Sequence, residues 1–326
     1  MYYSIRHTTR FRYSTAVRES IMEIRMQPRT EGRQNVRTFQ LRIQPHSQPF
    51  AYSDYLGNAV YHFDVPGEHM ELLIVADAMV EVAPEEPLPR SLGADAWQAL
   101  FEIVDKGEHW DMLRSSPFVA PTDTLDGFIA KSGIEKQEDP LGSLHALMAA
   151  VCGNLEYNQE FTTVHSPIDH ALKSGKGVCQ DFAHIMIAVA RSWGIPCRYV
   201  SGYLFHRAED HDQSDPSQSH AWVEAYLPDL GWIGFDPTNN TPAGQRHIRV
   251  AIGRDYSDVP PTRGVFKGSA ESELAVAVSV KPTEAPAQHD DFLRIVRPMP
   301  PEAPTAEQVH GYQQQQQQQQ QSKARG

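Results

Sequence analysis

Cysteine is scarce: the 326 residues hold three, Cys152, Cys179 and Cys197. An odd trio in a chain of this length builds no disulfide framework, so the fold must rest on a hydrophobic core. Zinc spacings are missing too. Neither Cys-x-x-Cys nor His-Glu-x-x-His occurs among the three cysteines and fifteen histidines. His206, Asp210 and His211 share one polar loop without such a spacing, and no metal or other cofactor is expected. No apolar run approaches the roughly 18 residues of a membrane span. No charged-then-apolar leader opens the chain. Basic residues are in deficit, 29 against 41 acidic for a net charge of −12. That deficit argues against nucleic acid or an anionic membrane as partner. These absences leave a soluble globular protein, expected in a reducing cytoplasm.

What is present divides into three stretches. Residues 1–85 alternate as strands do: Tyr3, Ile5, His7, Thr9, Phe11 and Tyr13 on one face, Arg6, Arg10 and Arg12 on the other. Alternation returns at Phe39–Ile43, Ala59–Val65 and Leu72–Val82, with Asp54–Asn58 as a turn in which Gly57 and Asn58 supply left-handed conformations. An antiparallel β-sandwich is expected here. Residues 1–50 carry nine arginines against three glutamates, read as the solvated face of amphipathic strands.

Residues 86–280 form the second stretch, with a helical lead-in over 86–150 and a core over 151–280. The acidic, Pro-punctuated segment 84–95 marks the boundary. Trp97, Leu100, Phe101 and Val104 make one helical stripe, and Leu125, Phe128 and Ile129 another. Asp139 caps a helix with Pro140 at its first position, placing Cys152 on an apolar stripe as an inert core thiol. Strands are predicted at Arg198–Phe205, His220–Leu227, Gly231–Asp236, Arg246–Ile252 and Glu273–Val280. The third stretch, 281–326, runs to Pro, Ala, Glu and nine consecutive glutamines, Gln313–Gln321. Such a composition builds no core and predicts a disordered tail.

The most informative segment is Gly175–Gly194. From Cys179 onward, Phe182, Ile185, Met186, Val189, Ala190 and Trp193 fall on one face of a helix. Gly175 and Gly177 allow a tight entry, and Gly194 with Pro196 ends it. Cys179 thus opens the helix, where unpaired N–H groups and the macrodipole favour a thiolate. A cysteine nucleophile needs a base, and the base needs an orienting partner. A hairpin symmetric about Pro228 sets Tyr226 opposite Leu230, Glu224 opposite Trp232, and His220 opposite Asp236, on one face of the sheet. The cysteine–histidine–aspartate set is therefore Cys179, His220 and Asp236. The Cys179 N–H is one oxyanion donor; Gln180 and Tyr157 are candidates for the second. Trp222 shares the face of His220 and either lines the cleft or packs under the sheet. His184, about 140° around the helix from Cys179, is expected to meet solvent or a backbone carbonyl.

Gly177–His184, Gly194–Tyr203, Ser219–Glu224 and Gly234–Thr238 resemble the bacterial transglutaminase-like family, part of the papain-like cysteine-enzyme superfamily. So do the stretch His247–Gly268 and the Asp54–Asn58 turn. The resemblance spans about residues 1–280, apart from the glutamine run. It implies an α+β fold, the β-sandwich followed by a papain-like core, with Cys179, His220 and Asp236 as the catalytic residues. It implies thioester chemistry on a protein or peptide substrate, with hydrolysis of a peptide or isopeptide bond favoured. Acyl transfer and deamidation use the same intermediate, since water or an amine decides the product. A catalytically silent protein-binding module is the alternative of another kind, and the alkylation rate of Cys179 separates it from an enzyme.

Overall fold

A computed structural model describes residues 1–285 apart from 85, 94, 160–165 and 208. The predicted tail from 286 onward, with its glutamine run, lies outside the described residues.

Four strands come first: β1 (Tyr2–Ile24), β2 (Gln34–Gln44), β3 (Phe50–Ser53) and β4 (Ala59–Val82). Helices α1 (Ala96–Asp105), α2 (Asp123–Ser132) and α3 (Pro140–Asn154) follow. Then come β5 (Glu156–Tyr157), α4 (Ile168–Ser174), β6 (Lys176–Gly177) and α5 (Cys179–Ser192). The chain continues as β7 (Cys197–Leu204), β8 (His220–Leu227), β9 (Gly231–Asp236), β10 (Thr241–Pro242) and β11 (His247–Gly253). Two further strands, β12 (Thr262–Phe266) and β13 (Ser272–Thr283), complete the described fold. The architecture is α+β with antiparallel principal sheets, as expected.

One sheet of six strands runs β12-β1-β4-β2, with β13 added to β1 and β3 to β4. Its strands are amphipathic by the alternation already noted. Tyr3, Ile5, His7, Thr9 and Tyr13 are buried, while Arg6 and Arg12 face solvent. The arginine-rich rows of β1 and β2 flank acidic positions on β4, with Arg6 and Arg42 each 2.6 Å from Asp77 and Arg37 paired with Glu81. Neighbouring strands thus explain the lopsided charge of the first hundred residues. Exposed pairs of this kind contribute about 0–1 kcal/mol each. The pairing of β1 with β4 shifts register between Arg12 and Glu19. Met22, Ile24, Phe63 and Val65 join Leu72 and Ile74 in one core cluster.

The second sheet runs β10-β9-β8-β7-β11. Helix α5 lies against it, and Phe182, Ile185, Met186, Ile187 and Val189 are fully buried, each stabilising by roughly 1.5–3 kcal/mol. Asp139 caps α3 as predicted, accepting the N–H of Leu141 at 2.9 Å. The two sheets are tied through side-chain amides. Gln34 donates to the Arg249 carbonyl at 2.8 Å and accepts the Arg249 N–H at 2.8 Å. Asn58 does the same for Ile252, at 2.9 and 2.8 Å. Of the predicted Gly57-Asn58 pair only Gly57 is left-handed, with φ +75°; Asn58 is a buried clamp instead.

Candidate active site

Local chemistry sets Cys179 at the first position of α5. Gly177 precedes it because a Cβ there would lie 2.8 Å from the Asp181 carboxylate. That carboxylate accepts the Val178 N–H at 2.8 Å, satisfying a donor at the helix start. At the far end Gly194, with φ +85°, turns the chain out of the helix.

The hairpin differs from its predicted register by two residues. Tyr226 pairs with Trp232 and Glu224 with Gly234, because the turn is centred on Asp229, whose φ of +61° is left-handed. His220 and Asp236 are therefore diagonal rather than directly opposite. A shift of two preserves the face, and diagonal neighbours remain within reach of long side chains. His220 Nε2 and Asp236 Oδ2 are 2.8 Å apart. Nδ1 is buried without a hydrogen-bond partner at contact distance, which leaves it as the nitrogen for Cys179, a thiol that acts on this ring.

Asp236 is fully buried and surrounded by donors. Oδ1 accepts the N–H groups of Thr238 and Asn239 at 3.0 and 3.2 Å. Oδ2 accepts from Asn239 Nδ2 at 2.8 Å and from His247 Nε2 at 3.1 Å. Burial by itself would push this carboxyl up; the charges and hydrogen bonds of His220 and His247 overcome it and hold the carboxyl well below the usual range. Burial likewise works against a charged His220, but Asp236, followed by Cys179, raises its imidazole well above the ordinary value. His247 is different. Gly244 donates its N–H to Nδ1 at 3.1 Å, so Nε2 carries the hydrogen toward Asp236. Burial keeps this second ring neutral, its pKa lowered. Sequence reasoning assigned His247 no role, although it opens the resembling stretch His247–Gly268 and lies near the head of a predicted strand.

Cys179 and His220 border a cleft of about 410 Å³, lined also by Gln180 and Tyr157 from the core and by Thr9 and Val276 from the six-stranded sheet, with Asp236 behind His220. The Tyr157 phenol is pushed up to about 12 by burial and by Cys179, and Tyr256, on the same cleft, likewise to about 12. Both keep their hydrogen and can donate it. Tyr256 lies in the resembling stretch His247–Gly268, where sequence reasoning assigned it no role.

Other expected positions fall elsewhere. Trp222 is not on the cleft: it packs with Val200 and Ile252, over Gly202, where a Cβ would come within 2.5 Å of its ring. Glu224 is bound to Arg198 at 2.6 Å. His184 meets neither solvent nor a carbonyl; its Nε2 accepts the Tyr256 N–H at 3.1 Å, and burial lowers it to about 3. Cys152 is half-buried rather than in the core, its sulfur 3.5 Å from the Thr238 carbonyl in the turn that holds Asp236. In the polar loop, Asp210 and Asp212 are taken by Arg246 at 3.0 and 2.7 Å.

Residues 128–237 match the transglutaminase-like superfamily, and residues 3–81 match the bacterial transglutaminase-like N-terminal region. A Mycobacterium leprae protein without an assigned function is 34% identical over 278 residues, 84% of this chain and 96% of its own length. A Mycobacterium tuberculosis protein, also unassigned, is 33% identical over 304 residues, 88% of this chain and 95% of the relative. A protein-glutamine gamma-glutamyltransferase of Pseudomonas aeruginosa is 31% identical over 103 residues, 28% of this chain and 15% of that enzyme. Among solved structures, a Cytophaga hutchinsonii protein described as a candidate cysteine protease shares the fold. Its TM-score is 0.67 at 21% identity, covering 88% of this chain and 92% of the other. The class is thus a papain-like cysteine-enzyme fold. The chain belongs to the transglutaminase-like superfamily and carries its bacterial N-terminal region.

Proposed function

We propose that this chain is a cysteine-dependent amide-bond enzyme that works through a thioester on Cys179, with hydrolysis of peptide or isopeptide bonds as its reaction. The observation that carries this reading is the buried His220–Asp236 contact at 2.8 Å beside a thiol at a helix start. Asp236 stabilises an imidazolium, and the imidazolium stabilises a thiolate on Cys179. The thiolate attacks the amide carbon, the C–N bond breaks, and His220 gives its proton to the leaving nitrogen. Water, deprotonated by the now neutral His220, then opens the thioester. The Cys179 N–H and a phenol, Tyr157 or Tyr256, serve the oxyanion. Protein or peptide is the substrate class.

A second reading, acyl transfer to an amine, is favoured by the 31% identical gamma-glutamyltransferase. The test is mass spectrometry of a glutamine- and lysine-bearing protein mixture with a labelled primary amine, incubated with native chain and with Cys179→Ala. Hydrolysis predicts cleavage or deamidation that the variant loses. Amine incorporation lost in the variant would replace hydrolysis by transfer. No product dependent on Cys179, together with alkylation as slow as that of a buried thiol, would sink both.

A further inference from the structure

The cleft beside Cys179 takes part of its wall from the other sheet. Leu274 and Val276 of β13 line it together with Tyr256 and Thr262. Strand β13 is bonded to β1 along one edge, and among the described residues no strand pairs with its other edge. One hydrogen bond sets the direction of the backbone groups on that edge. The Val278 N–H donates at 2.7 Å to the carbonyl of Ser217, in the loop that leads into β8. In an antiparallel ladder a residue turns its N–H and C=O to the same side, and residues two apart do alike. Val276 and Leu274 therefore aim both groups away from β1, at the border of the cleft.

The space continues along this edge. A neighbouring hollow of about 530 Å³ shares Leu274, Tyr256 and Thr262 with the cleft and extends it to Ser272 and Phe266. From Val276 to Ser272 a strand rises by roughly 13 Å, about the length of four peptide units. An open strand edge is a template for another chain, and proteins ordinarily cover or blunt such edges. Here it is continuous with the cleft that holds the nucleophile.

We propose that the outer edge of β13 at Leu274–Val276 is the docking strand for an extended polypeptide acyl donor, which adds to the sheet and lays its reacting amide beside Cys179. The proposal rests on the cysteine-enzyme reading and adds the form in which substrate binds. Main-chain bonds to the edge supply affinity, and alternate side chains of the donor fall against Leu274 and Val276 and into the hollow. Such an edge selects unfolded or stretched chains over folded surfaces.

The test compares two reagents on Cys179. Iodoacetamide reports the nucleophile alone. Pentapeptides ending in a vinyl sulfone report nucleophile and groove together: the sulfur adds to the vinyl carbon, and the adduct takes a proton from His220. The peptidyl reagents should label the native chain faster than a vinyl sulfone without a peptide. Val276→Pro removes the outward N–H while leaving the β1 ladder, as proline can do on an edge strand. It should slow peptidyl labelling about fivefold to tenfold, the loss of roughly one hydrogen bond, with iodoacetamide unchanged. Val276→Ala, which keeps the N–H and trims only the side-chain contact, should slow peptidyl labelling less than Val276→Pro does. Backbone N-methylation of the peptide should reproduce the proline effect on the native chain, and so decides the matter even where Val276→Pro misfolds. Equal rates for peptidyl and plain vinyl sulfones, or indifference to N-methylation, would overturn the docking strand while leaving the nucleophile intact. Labelling that slows as the concentration of the chain rises would assign the edge to a second copy instead, and also overturn it. Failure of iodoacetamide itself to single out Cys179 would instead undo the reading beneath.

Discussion

At the scale of residues the site is a carboxylate with two imidazoles on one oxygen, and the two rings do opposite things. Asp236 raises the imidazole of His220 well above its ordinary value, whereas burial lowers that of His247, which contacts the same Oδ2. The consequences for pH have definite signs. Asp236→Asn removes the charge that raises His220, so the imidazolium is lost at lower pH and the thiolate loses its partner. Alkylation of Cys179 at pH 6 should fall at least about tenfold, the equivalent of one pKa unit in His220, with the two proteins converging at high pH. A variant whose rate at pH 6 matches the native one would remove Asp236 from the scheme. His247→Phe acts in the other sense. With one donor gone, the carboxylate holds the His220 proton harder, so the imidazolium should persist to higher pH and the alkaline limb of the alkylation profile should move up. His247→Gln, which can still donate, should stay near the native profile. His206, Arg246 and Cys152 are also coupled electrostatically to this group of residues, and none of them changes between these variants.

At the scale of elements, α5 is an apolar rod whose first turn is fitted to a glycine. Gly177→Ala would set a methyl 2.8 Å from the Asp181 carboxylate and compete with the bond to Val178. Overpacking of this kind costs about 1–3 kcal/mol. The expected outcome is a lower midpoint in denaturant and a larger fractional loss of Cys179 reactivity, since the shift falls one turn from the sulfur. Reactivity retained in full alongside lowered stability would mean that the helix start moves as a unit. The same element shows why His184 takes no part in the chemistry. It is stacked on Phe118 at 5.3 Å and bonded to the Tyr256 backbone, on the buried side of the helix.

At the scale of the whole molecule, the first 85 residues and the last described strand hold the five-stranded sheet of the candidate site in shape. Gln34 and Asn58 each bond both backbone groups of one residue in β11, the strand that opens with His247. Strand β13 needs β1 as its partner over Tyr2–Tyr13, and β13 supplies the cleft wall. Asn58→Ala strands the N–H and C=O of Ile252, at a cost of about 1–3 kcal/mol, and should lower the melting temperature by several degrees in a thermal scan. Removing residues 1–85 should leave a chain without a cooperative transition. A truncated protein that melts sharply and still labels at Cys179 would show that the five-stranded sheet stands alone.

Much of this was legible without coordinates, and the rest was hidden for a physical reason. Period and punctuation are local, so the sequence by itself determined α5 from its apolar face and glycines, the capped start of α3, and strands β7, β8, β9 and β11 to within a residue or so. It placed Cys179 at a helix start and brought His220 and Asp236 to one face. Only the tertiary structure decided the two-residue register, because the turn closes by pairing Leu227 with Gly231 and so centres on Asp229 rather than on Pro228. It alone joined His247 to Asp236, sent Trp222 under the sheet against Gly202, and carried Leu274 and Val276 across more than two hundred residues to β1. Those contacts depend on which distant strands become neighbours, and no spacing within a strand encodes its partner.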